Sequence, residues 1–217
     1  MRIAMISDMH SKLNFSVPEV DLLLIAGDIC PAYHEVSFSV NIQKIWLNTD
    51  FRHWLDKQSF QECVCIFGNH DWIGEYAFED IPILSDNFHI LQDSHIELLG
   101  KKIYGTPWQL PFNNWAFNCA EPELSFKWQK IPEDTDILIC HSPPWKIMDK
   151  VVHHNFTKHI GSKSLKKRIK EIKPELVVFG HNHGDNGIVE KDDITYVNCS
   201  LLDEKYKLVY EPIILEI

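Results

Sequence analysis

Five short apolar runs constrain this chain more than any other feature. They cover residues 2–7, 21–26, 62–67, 136–140 and 175–179, and each breaks off into a polar cluster. Apolar runs of this length, bounded by turn residues, suit strands buried on both faces. Helical patterns lie between them at 36–57, 121–130 and 162–172, the last basic, amphipathic and closed by Pro174. A second group of strand patterns, at 89–91, 95–99, 102–105, 187–190, 194–198 and 213–217, alternates more. Strand–helix alternation predicts an α/β fold. Two groups of strands predict a two-sheet β-sandwich flanked by helices. With no internal repeat or linker, 217 residues predict a single domain over 1–217.

The polar clusters carry the chemistry. They are Asp8-Met9-His10, Gly27-Asp28, Gly68-Asn69-His70-Asp71, His141 and Gly180-His181-Asn182-His183, and they absorb five of the 12 histidines. Ligands of α/β sheets bind at the carboxyl ends of strands, so five such ends can converge on one crevice. Asp8 and His10 are two apart, as are His181 and His183. In extended backbone, residues i and i+2 face the same side. The glycines before Asp28, Asn69 and His181 permit tight turns and close backbone approach. Carboxylates, imidazoles and an amide oxygen, without thiolate, suit Mn²⁺, Fe or Zn²⁺ rather than Ca²⁺ or a zinc finger.

Composition excludes several alternatives. The net charge is −10, from 21 basic and 31 acidic residues, which argues against a broad nucleic-acid surface. No apolar run approaches the roughly 20 residues of a membrane span, and the N-terminal one is too short for a signal peptide. A cytoplasmic location is expected. The six cysteines form no CxxC pair and are expected to be buried, reduced thiols.

The ordered set Asp8-x-His10, Gly27-Asp28, Gly68-Asn69-His70-Asp71, His141 and Gly180-His181-x-His183 resembles the calcineurin-like metallophosphoesterase superfamily. Gly105-Thr106-Pro107-Trp108-Gln109, Trp115-Ala116-Phe117-Asn118 and Val197-Asn198-Cys199-Ser200 resemble its branch of metallophosphoesterase-domain-containing proteins. The Gly-Asn-His-Asp block is similar to that of class III cyclic nucleotide phosphodiesterases.

The resemblance implies a dinuclear, metal-dependent phosphoesterase. Asp8, His10, Asp28 and His183 would hold one divalent ion, and Asp28, Asn69, His141 and His181 the other, with Asp28 as the bridge. Mn²⁺ is the first expectation, with Fe, Zn²⁺, Ni²⁺ or Co²⁺ as alternatives. A hydroxide shared by the two ions would attack phosphorus. His70 would contact a phosphoryl oxygen or protonate the leaving group, and Asn69 would also touch substrate. Asp71 would orient His70, or else cap the following turn. Trp145, in the stiff loop after His141, is a candidate substrate contact.

A phosphodiesterase acting on small diesters such as cyclic nucleotides is the favoured function. A phosphomonoesterase of nucleotides or small phosphate esters, and a weakly active nucleotide-binding regulator, are the alternatives. The partner is then a small phosphate ester or nucleotide; oligomeric state is not legible. His153 and His154 are expected in a solvated loop, and the lysines of 162–172 on a solvated helix face. Trp108 and Trp115 could stack a nucleobase or serve as structural aromatics.

Overall fold

The computed structural model describes residues 1–31, 35–153 and 156–217; His34 and His154 lie outside them. Its first strands are β1 (Arg2–Ile6), β2 (Val20–Ala26), β3 (Phe60–Ile66), β4 (Phe88–Ile90), β5 (Ser94–Leu98) and β6 (Lys101–Thr106). The remainder are β7 (Ile137–Cys140), β8 (Lys150–His153), β9 (Phe156–His159), β10 (Leu176–Phe179), β11 (Gly187–Lys191), β12 (Ile194–Asn198) and β13 (Ile213–Glu216). Helices α1 (Val36–Trp46), α2 (Arg52–Leu55), α3 (Trp72–Tyr76), α4 (Glu121–Trp128) and α5 (Lys163–Ile172) connect them. A π turn at Leu47–Phe51 joins α1 to α2 and sets Leu47 and Phe51, both fully buried, into the core.

One sheet has the order β13-β1-β2-β3-β4, the other β11-β12-β10-β7-β6-β5. Within the first, β1 to β4 are parallel. Within the second, β6, β7, β10 and β12 are parallel. Strict alternation along each strand divides the core into three layers. Ile3 and Met5 of β1, Leu22 and Leu24 of β2, and Val64 and Ile66 of β3 face inward. They meet Ile137 and Ile139 of β7 and Val178 of β10 between the sheets. The intervening residues Ala4, Ile6, Leu23 and Cys65 pack outward against Trp46, Phe51 and Trp54. On the far side, Leu138, Val177 and Phe179 pack against Leu124 and Trp128 of α4 and Leu165 and Ile169 of α5. The expected sandwich with helices on both faces is what the chain forms.

The sheets also join at one corner. Ser7, just past β1, forms a parallel bridge with Ser200, just past β12, and Leu201 N–H donates to Ser7 C=O at 3.0 Å. Three features depart from the sequence expectation. The two strand groups do not map onto the two sheets: β4 and β13, of the second group, join the first sheet, while β7 and β10, of the first group, join the second. Helix α3 is five residues long, too short to register as periodicity. Among the described residues the hairpin β8–β9 pairs only with itself, so the backbone of His153 lies in a strand rather than a loop. No helix among the described residues is long and apolar enough to cross a membrane. All six cysteines are free and buried, as expected.

Ile139 is fully buried between the sheets, whereas Ile188 on β11 is 45% exposed. Ile139→Ala should cost about 2–5 kcal/mol through lost transfer energy and a residual cavity. Ile188→Ala should stay within about 0.5 kcal/mol. Urea unfolding of both variants checks the contrast.

Candidate metal centre

All five polar clusters come together at the carboxyl ends of the parallel strands. Ligand-capable atoms fall into three overlapping trios, each within 4.8 Å: Asp8–His10–His183, His10–Asp28–His70 and Asp8–Asp28–His141. Asp28 Oδ2 lies 3.7 Å from His10 Nε2 and 3.4 Å from His141 Nε2. Asp8 Oδ1 lies 3.3 Å from His183 Nε2. Asn69 Oδ1 is 2.9 Å from both His141 Nε2 and His181 Nδ1.

Backbone carbonyls fix the imidazole tautomers. His141 Nδ1 is 2.9 Å from Ala26 O, and His183 Nδ1 is 3.1 Å from Asp203 O. A carbonyl only accepts, so each Nδ1 carries the hydrogen and each Nε2 of a neutral ring presents a lone pair. The His141 lone pair faces two acceptors, Asn69 Oδ1 and Asp28 Oδ2. That of His183 faces Asp8 Oδ1 and, at 3.4 Å, His10 Nε2. Acceptors converging on acceptors require a positive charge between them. A proton can supply it in part: burial pushes the His141 pKa down, but the Asp28 charge beside it prevails and lifts it to about 9. Divalent ions fit the same gaps with more charge, and the second-partner pattern is that of metal-ligating histidines.

Electrostatics sort the remaining rings. Burial drives His10 to about 3 against the pull of Asp28, and His181 to about 3 with the His141 charge adding to the effect. Burial opposes ionisation of Asp8, yet a hydrogen bond from the protonated His183 ring holds it well below the usual carboxylate range. Asp28 is likewise held low, by His141 and His70 against burial.

The loops achieve this by unusual backbone. Asp8, His10, Asp28 and His181 have φ of 54°, 42°, 53° and 67°. The Asp8/His10 pair therefore reaches one cavity through left-handed turns, not through the extended alternation expected from its spacing. His181, also left-handed, departs from that alternation as well. Gly27 has φ +92°, and a Cβ there would sit 2.7 Å from His141 Nδ1. A Cβ on Gly180 would overlap Ser7 Oγ and Asp8 Oδ2.

Asp71 differs from expectation. Its carboxylate accepts from Gly68 N–H at 2.7 Å, Cys30 N–H at 2.8 Å and Ile29 N–H at 3.3 Å. It ties the Asp28 loop to the Asn69 loop instead of reaching the His70 ring, and its side chain makes no cap bond to α3. Burial, with the Asp28 charge adding, raises its pKa to about 7. The His70 ring is oriented by other groups. It stacks on Trp115, with centroids 4.0 Å apart, and meets His10 edge-on at 4.5 Å. The His70 backbone is fixed as well: its amide N–H donates to Asp28 Oδ1 at 2.7 Å, and its C=O accepts from Gln43 Nε2 at 2.7 Å.

Gln43 was not anticipated. A buried glutamine inside an apolar helix face was the available signal. Tyr206, whose ring lies 5.0 Å from both His10 and His183, left no signal in the sequence.

Trp145 stands apart from the strand-end residues among its described ring contacts. Lys146, Lys163 and Lys166 lie 4.4, 5.2 and 5.3 Å from its ring centroid, and His159 packs edge-on at 6.2 Å. Trp108 is structural: Nε1 donates to Asp93 and Lys127 covers the ring at 3.4 Å.

Residues 1–185 match the family model for calcineurin-like phosphoesterases, and the chain belongs to that family. It is 30% identical over 242 residues to metallophosphoesterase domain-containing protein 1 of Homo sapiens, covering 100% of this chain and 71% of the human protein. The Mus musculus protein of the same name gives the same figures. In fold, the chain resembles phosphopantetheinyl hydrolase from Mycobacterium tuberculosis, with TM-score 0.56 and 13% identity over 94% of this chain and 90% of that one. The family is one of dinuclear metal-dependent phosphoric ester hydrolases, and this chain carries candidate ligand groups to match.

Gly180→Ala should displace Asp8 and crowd Ser7 beside it, disrupting that side of the cluster. Metal analysis of the purified variant, after loading with Mn²⁺, should find fewer bound ions per chain than in the wild type.

Proposed function

We propose that this chain is a phosphodiesterase of small diesters, cyclic nucleotides first among them, working as one domain over residues 1–217 in the cytosol. The carrying observation is the position of Asp28. Its Oδ2 lies 3.7 Å from His10 Nε2 and 3.4 Å from His141 Nε2, within reach of both ligand sets at once. In this reading Asp8, His10, Asp28 and His183 hold one ion, and Asp28, Asn69, His141 and His181 the second. Mn²⁺ is the proposed metal, since the donors are nitrogen and oxygen only.

When bound, two such ions supply Lewis-acid charge for the phosphoryl group and lower the pKa of water. The chain's own part is positioning and proton transfer. His70 is held by Trp115 stacking beside the cluster, with a ring nitrogen within 4.8 Å of ligand atoms of His10 and Asp28. We assign it to protonate the leaving oxygen. Burial lowers its pKa although the Asp28 charge opposes this; an anionic phosphate beside it would favour the protonated ring. A diester expels a poor alkoxide, so it gains most from such an acid. Asn69 and His70 touch the phosphoryl oxygens; Trp145, ringed by lysines away from the strand-end residues, has no part in this step. Asp71 serves indirectly, by locking the loops that carry Asp28 and Asn69. Buried free thiols suit a reducing compartment.

Paired chromogenic mono- and diesters, assayed with Mn²⁺, test the proposal. Diester turnover should be the faster. Faster monoester turnover would make the chain a phosphomonoesterase, and no turnover of either would leave a nucleotide-binding regulator. His70→Ala should lower kcat by about 10²–10⁴ while both ions stay bound by metal analysis. Asp28→Ala should lose both ions; full occupancy in that variant would refute the bridge.

A further inference from the structure

Two exposed aromatic rings stand over the candidate metal centre and are used by nothing described so far. Phe112 is 54% exposed and Tyr206 is 46% exposed. Phe112 meets the His181 ring edge-on, with centroids 6.2 Å apart. Tyr206 meets His10 and His183, both at 5.0 Å. The two rings thus flank opposite ligand sets, Phe112 beside His181 and Tyr206 beside His10 and His183.

Neither ring is on a loose tip. Asn118 clamps the Phe112 loop: its Oδ1 accepts from Phe112 N–H at 3.1 Å and from Gln109 Nε2 at 3.1 Å, while its Nδ2 donates to Asn113 C=O at 2.9 Å. The Asp203 carboxylate clamps the Tyr206 turn, accepting from Lys205 N–H at 2.9 Å and Lys207 N–H at 2.8 Å. Lys12 Nζ donates to Tyr206 C=O, which engages the nearby ammonium. Tyr206 itself has φ 57°, a conformation costly for a bulky residue. Two large rings exposed to water, one of them held at a backbone cost, mark a binding surface more than a packing one.

We propose that Phe112 and Tyr206 form an aromatic collar that selects phosphodiesters whose retained, non-leaving ester group carries a planar aromatic system, a nucleobase or an aryl ring, over those whose retained group is alkyl. It rests on the phosphodiesterase reading and narrows it. The phosphoryl group sits at the ligand cluster, and the flat substituent stacks on a collar ring. Stacking of a base on an aromatic side chain is sequence-tolerant, since every base has a π-face. The collar therefore selects for aromaticity and not for one base.

The test uses two diesters with one leaving group, phenyl 4-nitrophenyl phosphate and methyl 4-nitrophenyl phosphate. The ratio of their kcat/KM values should fall about tenfold from wild type to the Phe112→Leu/Tyr206→Leu double variant. Tyr206→Phe, which keeps the ring, should retain the wild-type ratio. A second arm needs no turnover: calorimetry of AMP and ribose 5-phosphate binding to the Mn²⁺-loaded protein. AMP should bind about tenfold tighter, and the double variant should lose that margin. Diester hydrolysis with an unchanged ratio, and AMP binding no tighter than ribose 5-phosphate, would overturn the collar alone. No hydrolysis, with the AMP margin present and lost in the variant, would overturn the phosphodiesterase reading alone. No hydrolysis together with no AMP margin would overturn both.

Discussion

Asp8 and Asp28 are carboxylates removed from water, at 0% and 2% exposure, and the rest of the structure answers to them. A carboxylate buried without partners costs several kcal/mol. Here each is surrounded by donors and rings. Asp28 takes the His70 N–H and faces His10 and His141. Asp8 takes the His181 N–H, the Ser7 hydroxyl and the His183 ring. Those partners come from strand ends of both sheets, so the sandwich can satisfy the pair only with its two sets of carboxyl ends together. The parallel arrangement of β1, β2 and β3 against β7 and β10 supplies that condition.

The left-handed residues follow from the same demand. Asp8, His10, Asp28 and His181 cannot all reach one point from extended strands, so the chain turns sharply at each. Such conformations cost of order 1–3 kcal/mol apiece, and the three apolar layers offset them.

Much of this was legible in the residues. Five apolar runs gave the buried strands, because strands covered on both faces carry no polar positions to blur their ends. The second strand group emerged as strands but not as a sheet, since β4 and β13 pair into the first sheet and β7 and β10 into the second. The strand-end blocks identified Asp8, Asp28, Asn69 and the four flanking histidines as neighbours. What escaped shares one physical cause: contacts made between distant loops leave no local period. Asp71 donates nothing to a pattern that says it will span to Ile29 and Cys30. Tyr206 lies in a polar turn whose sequence resembles any surface loop. Trp115 offered only a choice between stacking a base and filling the core, whereas it backs His70. The hairpin β8–β9 and the five residues of α3 were simply too short.

The bridge between Ser7 and Ser200 has a mechanical meaning. Two sheets packed only through apolar side chains can slide past one another, because such contacts have little directionality. Hydrogen bonds are directional, and this one fastens the layers beside Asp8 itself. The sandwich behaves as a book bound along the edge where the ligands gather. A fastening at this point resists sliding at the edge where Asp8 and its partners meet.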